Sequence, residues 1–272
     1  MSSWRYANPV RLAFGEGLQE LLDPILKGRA GSSVLLISYD WFKATESYCG
    51  LEARCEGIRS FFDIEENPSL ESCQRAVDFA FTCRPETIIA VGGGSVIDTA
   101  KAVREALARD HRRLPTLFEA PAASRPRPFL VAVPTTHGTG SEVTPWATIW
   151  DKANKVKRSL SDPRGFPDVA AFCPALMARM PVSVALISTL DALSHAFEAV
   201  WNKSRNPIST HLALKAIVQI VSHLKNVKEI MPSESRRSPI EASMFAGEIL
   251  SNLVYGQELS ISRWSSFKPQ FS

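Results

Sequence analysis

Short apolar runs that alternate with helical repeats are the feature that most constrains the fold of this chain. Four of these runs have the length and composition of β-strands. They occupy residues 34–39, 58–62, 87–91 and 129–133. Residues 71–83 and 95–109 carry apolar side chains every three or four positions, which predicts helices, and the four prolines of residues 115–128 predict a loop. Strands that alternate with helices indicate an α/β fold with a parallel sheet.

The pattern changes after Pro181, where long amphipathic repeats replace the strand-like runs. These repeats predict that the rest of the chain is helical. The predicted helices cover residues 182–202, 209–231 and 239–254. We therefore place a domain boundary near Met180, between an α/β domain at residues 1–180 and a helical domain at residues 181–272.

Composition excludes several classes of protein. The formal net charge is only +3 and the basic residues are scattered, which is unlike a nucleic-acid-binding surface. The five cysteines form no CxxC pair, so neither a disulfide framework nor a zinc knuckle is indicated. No apolar run approaches the roughly 18 to 20 residues that span a bilayer, and the N-terminus lacks a secretory signal pattern. We expect a cytoplasmic protein that binds neither nucleic acid nor membrane.

Three consecutive glycines, at residues 92–94, join the strand at 87–91 to a helix. Glycine lets the backbone approach a ligand closely, and the start of a helix offers free N–H groups and partial positive charge to a pyrophosphate. Ser95 and Asp98 have the spacing of a capping box, which predicts a helix start at this point. A tight strand-to-helix turn without a ligand fits the same residues, because this is not the GxGxxG fingerprint.

A second glycine-rich loop, PTTHGTGSE at residues 134–142, follows the strand at 129–133. Its hydroxyl groups and backbone donors would lie at the carboxyl edge of the sheet, where open α/β folds bind ligands. Two such loops on one edge strengthen each other. A polar surface loop has the same composition, and His137 by itself is more typical of a loop histidine than of a catalyst.

Asp191 and His195 lie four positions apart in the helix predicted at residues 182–202. This spacing places a carboxylate and an imidazole on one helix face, which is how helices present two metal ligands. A surface ion pair has the same spacing. The apolar neighbours Leu190, Leu193 and Phe197 favour the metal site, because charges in such a setting need a compensating partner.

Taken in order, GGGSVIDTAKA (92–102), PTTHGTGSEVT (134–144) and DALSHAFEA (191–199) resemble the iron-containing alcohol dehydrogenase family, which has the dehydroquinate-synthase-like fold. The resemblance covers about residues 8–255. It implies a Rossmann-like dinucleotide-binding α/β domain followed by a helical metal-binding domain. It also implies an oxidoreductase that uses NAD or NADP and Fe²⁺ or Zn²⁺, acts on a small aldehyde or alcohol, and forms a homodimer.

The resemblance assigns cofactor-binding residues. Gly93, Gly94 and Ser95 would hold the pyrophosphate, and Asp98, the candidate catalytic residue, would face the nicotinamide end of the cleft. Tyr39 stands where the family usually has an aspartate or glycine that reads the ribose, so the choice between NAD and NADP stays open. Further cofactor contacts would come from Asn67, Thr135, Thr136, Thr139, Lys157 and Met177.

The metal site is where this chain departs from the family. Asp191 and His195 would be the first two metal ligands, and the family supplies two more histidines well downstream. The first of these should fall near residues 263–269, where RWSSFKP stands instead, and the last histidine of the chain is His223. We therefore expect a truncated helical domain with half of the metal ligands, which would bind a divalent metal weakly.

The sequence leaves more than one possibility for the substrate and for the present activity. Residues 143–151 (VTPWATIWD) resemble the branch of the family that reduces phosphonoacetaldehyde to 2-hydroxyethylphosphonate, a step of phosphonate metabolism. A catalytically inactive nucleotide-binding or interaction protein is the main alternative, because the downstream histidines are missing. Zinc-dependent glycerol dehydrogenase and dehydroquinate synthase share the fold, but the PTTHGTGSE loop favours the iron-containing group.

Overall fold

The computed structural model describes residues 7–29, 31–120, 123 and 125–224. They form a six-stranded sheet with helices on both faces, an antiparallel hairpin and a pair of long helices. The strands are β1 (Arg11–Phe14), β2 (Val34–Ser38), β3 (Arg59–Phe61), β4 (Thr87–Gly92), β5 (Phe129–Pro134), β6 (Trp146–Asp151), β7 (Val156–Ser161) and β8 (Val169–Phe172). The helices are α1 (Leu18–Lys27), α2 (Glu46–Arg54), α3 (Leu70–Cys83), α4 (Gly94–Ala108), α5 (Leu114–Leu117), α6 (Pro174–Met177), α7 (Val182–Trp201) and α8 (Pro207–Leu224). Two short 3₁₀ helices span Asp40–Ala44 and Ser141–Val143.

The strands of the large sheet follow the order β1-β8-β5-β4-β2-β3, and all neighbours are parallel. Successive side chains of a strand enter opposite layers. Leu35 and Ile37 of β2 pack in the core shared with α3 and α4, whereas Leu36 packs in the core shared with α1 and α2. Because both faces are buried, the strands are continuous apolar runs.

The hairpin of β6 and β7 lies outside this sheet. Backbone pairing and apolar packing both attach it to the rest of the α/β part. The backbone N–H of Trp150 donates to the Pro68 carbonyl at 2.9 Å, and Ala147, Ile149 and Leu160 pack in the core beside α4. The hairpin therefore covers part of α4 next to the glycine loop.

The structure confirms the predicted parallel sheet, its four predicted strands and the helices at 71–83 and 95–109, which begin and end within one residue of the prediction. Four strands are additional. The loop predicted at residues 115–128 is wrong in its first part, because α5 begins at Leu114 and accepts Pro115 in its first turn, where proline needs no N–H partner.

The helix predicted at 182–202 is α7, and the one predicted at 209–231 is α8 as far as Leu224. The remainder of that helix and the helix predicted at 239–254 lie outside the described residues. α7 packs against α8 through small and aliphatic side chains, among them Ala196 and Ile220. No helix within the described ranges is both long and apolar enough to cross a bilayer.

Candidate dinucleotide and metal sites

The two glycine-rich loops leave the sheet side by side. β4 and β5 are neighbours whose last paired residues are Gly92 and Pro134. The backbone N–H of Thr135 then donates to the Gly92 carbonyl at 3.0 Å, which extends the pairing by one step into the loops. Both loops therefore emerge at the carboxyl edge in the middle of the sheet, where α/β folds of this kind bind ligands.

The loops touch through glycine on one side and threonine on the other. A Cβ on Gly93 would lie 2.8 Å from Thr136 Oγ1, and a Cβ on Gly94 would lie 3.0 Å from Thr139 Cγ2. Neither distance is compatible with an unmoved side chain. A side chain at either position would therefore displace the threonine loop, whose hydroxyl groups line the start of α4.

Helix α4 begins at Gly94, and its N-cap, Gly93, offers no side chain to the first N–H groups. The predicted capping box of Ser95 and Asp98 is therefore wrong. Asp98 turns to a different set of donors, and Ser95 accepts a hydrogen bond from elsewhere in the chain. A helix start without a side-chain cap leaves backbone donors and partial positive charge for an anionic ligand.

Ser95 is where two distant segments meet. Its Oγ accepts the backbone N–H of Asn67 at 3.2 Å, and Asn67 has the left-handed φ of 52° that asparagine tolerates. The Tyr39 hydroxyl at the end of β2 also hydrogen-bonds Ser95, and burial raises the Tyr39 pKa above its usual value. Asn67, Ser95 and Tyr39 thus form one edge of the candidate cofactor site.

Asp98 joins α4 to both neighbouring segments. Its Oδ1 accepts the Ser141 hydroxyl at 2.5 Å and its Oδ2 accepts the backbone N–H of Thr148 at 2.9 Å. Burial raises the Asp98 pKa, while Lys101, these hydrogen bonds and Lys157 act in the opposite direction. Both oxygens are used by donors of the protein, so Asp98 fixes the threonine loop and the β6–β7 hairpin to α4. The predicted catalytic role stays a prediction.

Two charged residues near Asp98, namely Lys101 and Glu142, were not identified from the sequence. Lys101 is buried, and its Nζ donates to Ser141 Oγ at 2.9 Å and to the Trp146 carbonyl at 2.6 Å. Burial lowers the Lys101 pKa to about 8 and raises the Glu142 pKa to about 7. The signal for Lys101 was its position three residues after Asp98, on the same face of α4.

The other predicted cofactor contacts differ in how much of their surface a ligand could reach. Lys157 lies on β7, with its Nζ 5.7 Å from the centre of the Trp150 ring. Thr135 is buried at the base of its loop. Met177 is only 1% exposed and packs with Val143 and Phe172, so it supports the loop and offers little surface to a ligand.

Asp191 and His195 face each other along α7, with 3.8 Å between Asp191 Oδ1 and His195 Nε2. Their side chains are 45% and 23% exposed. His195 Nδ1 is 3.1 Å from the Gly138 carbonyl oxygen, which can only accept a hydrogen bond, so the proton of the ring lies on Nδ1. Nε2 is the ring nitrogen on the side of Asp191. A histidine whose Nδ1 donates to a backbone carbonyl is held as metal-ligating histidines usually are, with Nε2 as the coordinating atom.

A carboxylate oxygen and an imidazole nitrogen on one helix face are donors that suit a divalent metal. Within the described part of the chain, no group of three or more His, Cys, Asp or Glu side chains is placed to hold a metal ion. The assignment of Asp191 and His195 as metal ligands therefore stays a prediction, and no third side chain of these types joins them within the described residues.

Comparison with known proteins decides the lineage. The sequence model of the iron-containing alcohol dehydrogenase family matches residues 9–174, and the model of the C-terminal domain of that family matches residues 185–262. This chain belongs to the iron-containing alcohol dehydrogenase family. The assignment agrees with the two-part fold expected from its motifs.

Individual relatives agree with this assignment. An aldehyde-alcohol dehydrogenase of Streptococcus pneumoniae is 35% identical over 207 residues, covering 72% of this chain and 23% of the relative. A phosphonoacetaldehyde reductase of Streptomyces viridochromogenes is 34% identical over 172 residues, or 58% of this chain and 42% of the relative. The NAD⁺ complex of a sulfoacetaldehyde reductase from Bifidobacterium kashiwanohense superposes with a TM-score of 0.79 at 25% identity, covering 93% of this chain and 68% of that one. This iron-containing alcohol dehydrogenase homologue thus spans less than half the length of the two sequence relatives.

Proposed function

We propose that this chain binds NAD(H) or NADP(H) at the carboxyl edge of the sheet and a divalent metal at Asp191 and His195, and that it interconverts a small aldehyde and its alcohol. The observation that carries the proposal is the hydrogen bond from His195 to the Gly138 carbonyl. It brings His195, a proposed metal ligand, against the loop that lines the start of α4. A cofactor and a metal held there would meet in one cleft.

Each residue type suits its part of this site. The N–H groups at the start of α4, with Gly93, Gly94 and Ser95, would hold the pyrophosphate, since anions bind at helix N-termini. The hydroxyl groups of Thr136 and Thr139 add donors on the opposite wall. Asp98 keeps the loop and the hairpin in position. When bound, the metal would supply Lewis-acid polarisation of a carbonyl and the reduced nicotinamide would supply hydride.

Phosphonoacetaldehyde is the second, more specific candidate substrate. Residues 143–151 resemble the branch that reduces it, and a phosphonoacetaldehyde reductase is among the relatives. The sulfoacetaldehyde reductase also acts on an aldehyde that bears an anionic group. An anionic substrate needs a cation close to its bound position. Lys157 suits this role, because it lies on the hairpin within electrostatic range of Asp98.

The first test is aldehyde reduction by the purified chain, followed as oxidation of NADH and of NADPH. Acetaldehyde, butyraldehyde and phosphonoacetaldehyde are compared with Fe²⁺ or Zn²⁺ added and with a chelator. We expect turnover that the chelator abolishes. Cofactor binding without turnover for any aldehyde would instead identify an inactive nucleotide-binding protein, and absence of cofactor binding would contradict the proposal altogether.

A pair of histidine variants makes this test specific. His195→Ala removes the proposed metal ligand, and we expect a loss of kcat/KM of about a hundredfold or more, since losing a group that only supports a metal ligand already costs about 10- to 100-fold. His211→Ala removes an exposed histidine of α8 and should keep the wild-type rate. Equal losses in the two variants would contradict the assignment of His195. Sedimentation of the same wild-type sample tests the homodimer implied by the family resemblance.

A further inference from the structure

Residues 137 and 138 contact α7 at three places. His137 Nε2 lies 2.7 Å from Thr189 Oγ1, and the Gly138 carbonyl accepts from His195 Nδ1 at 3.1 Å. The third contact is between backbones, because a Cβ on Gly138 would lie 2.2 Å from the Ser188 carbonyl oxygen. Gly138 also has a φ of 124°, which only glycine adopts readily. The segment is therefore built to lie directly on α7.

The polarity of the His137 contact follows from its partner. The Thr189 hydroxyl donates its single hydrogen to the Ala185 carbonyl at 2.7 Å, as a hydroxyl in a helix commonly does. It must then accept from His137, so His137 carries its proton on Nε2. Both side chains are buried, and burial away from water makes such a bond costly to break.

The same loop contacts the start of α4 on its other side. Thr136 precedes the two residues and lies against Gly93, and Thr139 follows them and lies against Gly94. Residues 137 and 138 therefore stand between the walls of the proposed cofactor site and the helix that carries the proposed metal ligands. The orientation of the His195 ring depends on the position of the Gly138 carbonyl.

We propose that residues 137 and 138 couple the two sites, so that a bound dinucleotide tightens metal binding and a bound metal tightens dinucleotide binding. This rests on the proposed function. A cofactor that fixes Thr136 and Thr139 also fixes the Gly138 carbonyl, and with it the ring of His195. The second ligand then meets a segment that is already ordered, which gives positive cooperativity. His137 and Thr189 are positioning residues in this scheme, since they act through the loop.

The coupling is measured as a pair of affinities on the full chain. NADH binding is followed by its fluorescence with and without Co²⁺, and Co²⁺ binding is followed by its visible absorption with and without NADH. NADH is used because its nicotinamide ring carries no positive charge that would repel the metal. We expect each ligand to tighten the other by the same factor, about fivefold or more, since linkage is reciprocal.

Variants at position 189 test the route of the coupling. Thr189→Val removes the acceptor of His137 and should bring the coupling factor to below about half of its wild-type value, while each ligand alone binds within about twofold of wild type. Thr189→Ser restores a hydroxyl and should restore the coupling. Ser188→Ala is the matched control, because the half-buried Ser188 hydroxyl donates to the Val184 carbonyl of its own helix.

The outcomes separate this inference from the function on which it rests. If NADH and Co²⁺ both bind the wild type but neither changes the affinity of the other, the coupling is overturned and both sites stand. If Thr189→Val keeps the full coupling factor, the route through His137 is overturned. If Co²⁺ does not bind the wild type, the metal site and the coupling are overturned together.

Discussion

Leu36 of β2 and Leu214 of α8 are the same side chain in two different settings. Leu36 has no exposed surface and packs between β-strands and α1, whereas Leu214 is 51% exposed. Their surroundings differ in the same way: the strands of the large sheet are buried on both faces, but Ile187, Val218 and Trp201 of the helix pair are exposed. The α/β part therefore has a core of its own. The contribution of the helix pair to the free energy of unfolding depends instead on what covers its apolar face.

The largest effect expected from this comparison is in a matched pair of leucine variants. Leu36→Ala should lower the free energy of unfolding by about 2 to 5 kcal/mol, because it removes packing and leaves a cavity. Leu214→Ala should change it by less than about 0.5 kcal/mol, as for most surface substitutions. Urea unfolding of both variants measures the difference. Comparable losses would mean that Leu214 is covered in solution.

Charged side chains also differ in burial between the α/β part and the helix pair. The α/β part buries Lys101 and Glu142, whereas the side chains of Asp191 and His195 on α7 are partly exposed. The Glu142 pKa is raised from 4.5 to about 7 in the folded chain, so between these values the folded state binds more protons than the unfolded state. The free energy of unfolding should therefore fall as pH rises from 4.5 to 7 because of this residue.

Glu142→Gln tests this second effect. Glutamine does not ionise, so the variant lacks the loss described above. The free energy of unfolding of the variant minus that of wild type should rise by about 1 to 3 kcal/mol from pH 4.5 to pH 7.5, since each unit of pKa difference corresponds to about 1.4 kcal/mol. Urea unfolding at both pH values measures it, and the value at pH 4.5 is the internal baseline. A difference that does not change with pH would show that Glu142 is solvated.

The smallest expected effect concerns helix starts. In the α/β part, Ser69 caps α3 by accepting the backbone N–H of Ser72 at 3.1 Å, whereas α7 begins after Pro181 without a side-chain cap. Ser69→Ala should lower the free energy of unfolding by about 1 kcal/mol. Thermal unfolding against wild type measures it. Ser47→Ala, inside α2, is the control, and a loss in that variant as large as in Ser69→Ala would show that the cap contributes nothing specific.

Much of the α/β part was predictable because its central strands are long and apolar. Thr87–Gly92 and Phe129–Pro134 are continuous runs that few other structures accommodate. β1 and β8 have only four residues each, too few for a clear pattern. β7 carries Lys157, Arg158 and two serines, so its apolar alternation is weak, and it is stabilised by pairing with β6 across the whole hairpin.

The candidate site was predictable to the extent that its residues follow one another in the sequence. The two glycine-rich loops and the Asp191 and His195 pair are local patterns, and the family resemblance joined them. The buried ions were not local: Lys101 meets Ser141 and Trp146, some 40 positions away, and Asp98 meets Thr148. The spacing of Asp98 and Lys101 places these two on one face of α4. No spacing rule connects them to Ser141, Trp146 or Thr148, so only the packing of the hairpin and the loop on α4 reveals those partners.

The pairing of β1 with β8 has a consequence for how this chain is made. Arg11 lies beside Val169, which follows it by 158 positions (169 minus 11). A ribosome that adds about 5 to 20 residues per second needs roughly 8 to 30 seconds to synthesise that interval. During that time β1 has no neighbour on which to pair. Among the described strands, β1 therefore leaves the ribosome first but is incorporated among the last, and a nascent-chain chaperone would meet it unpaired.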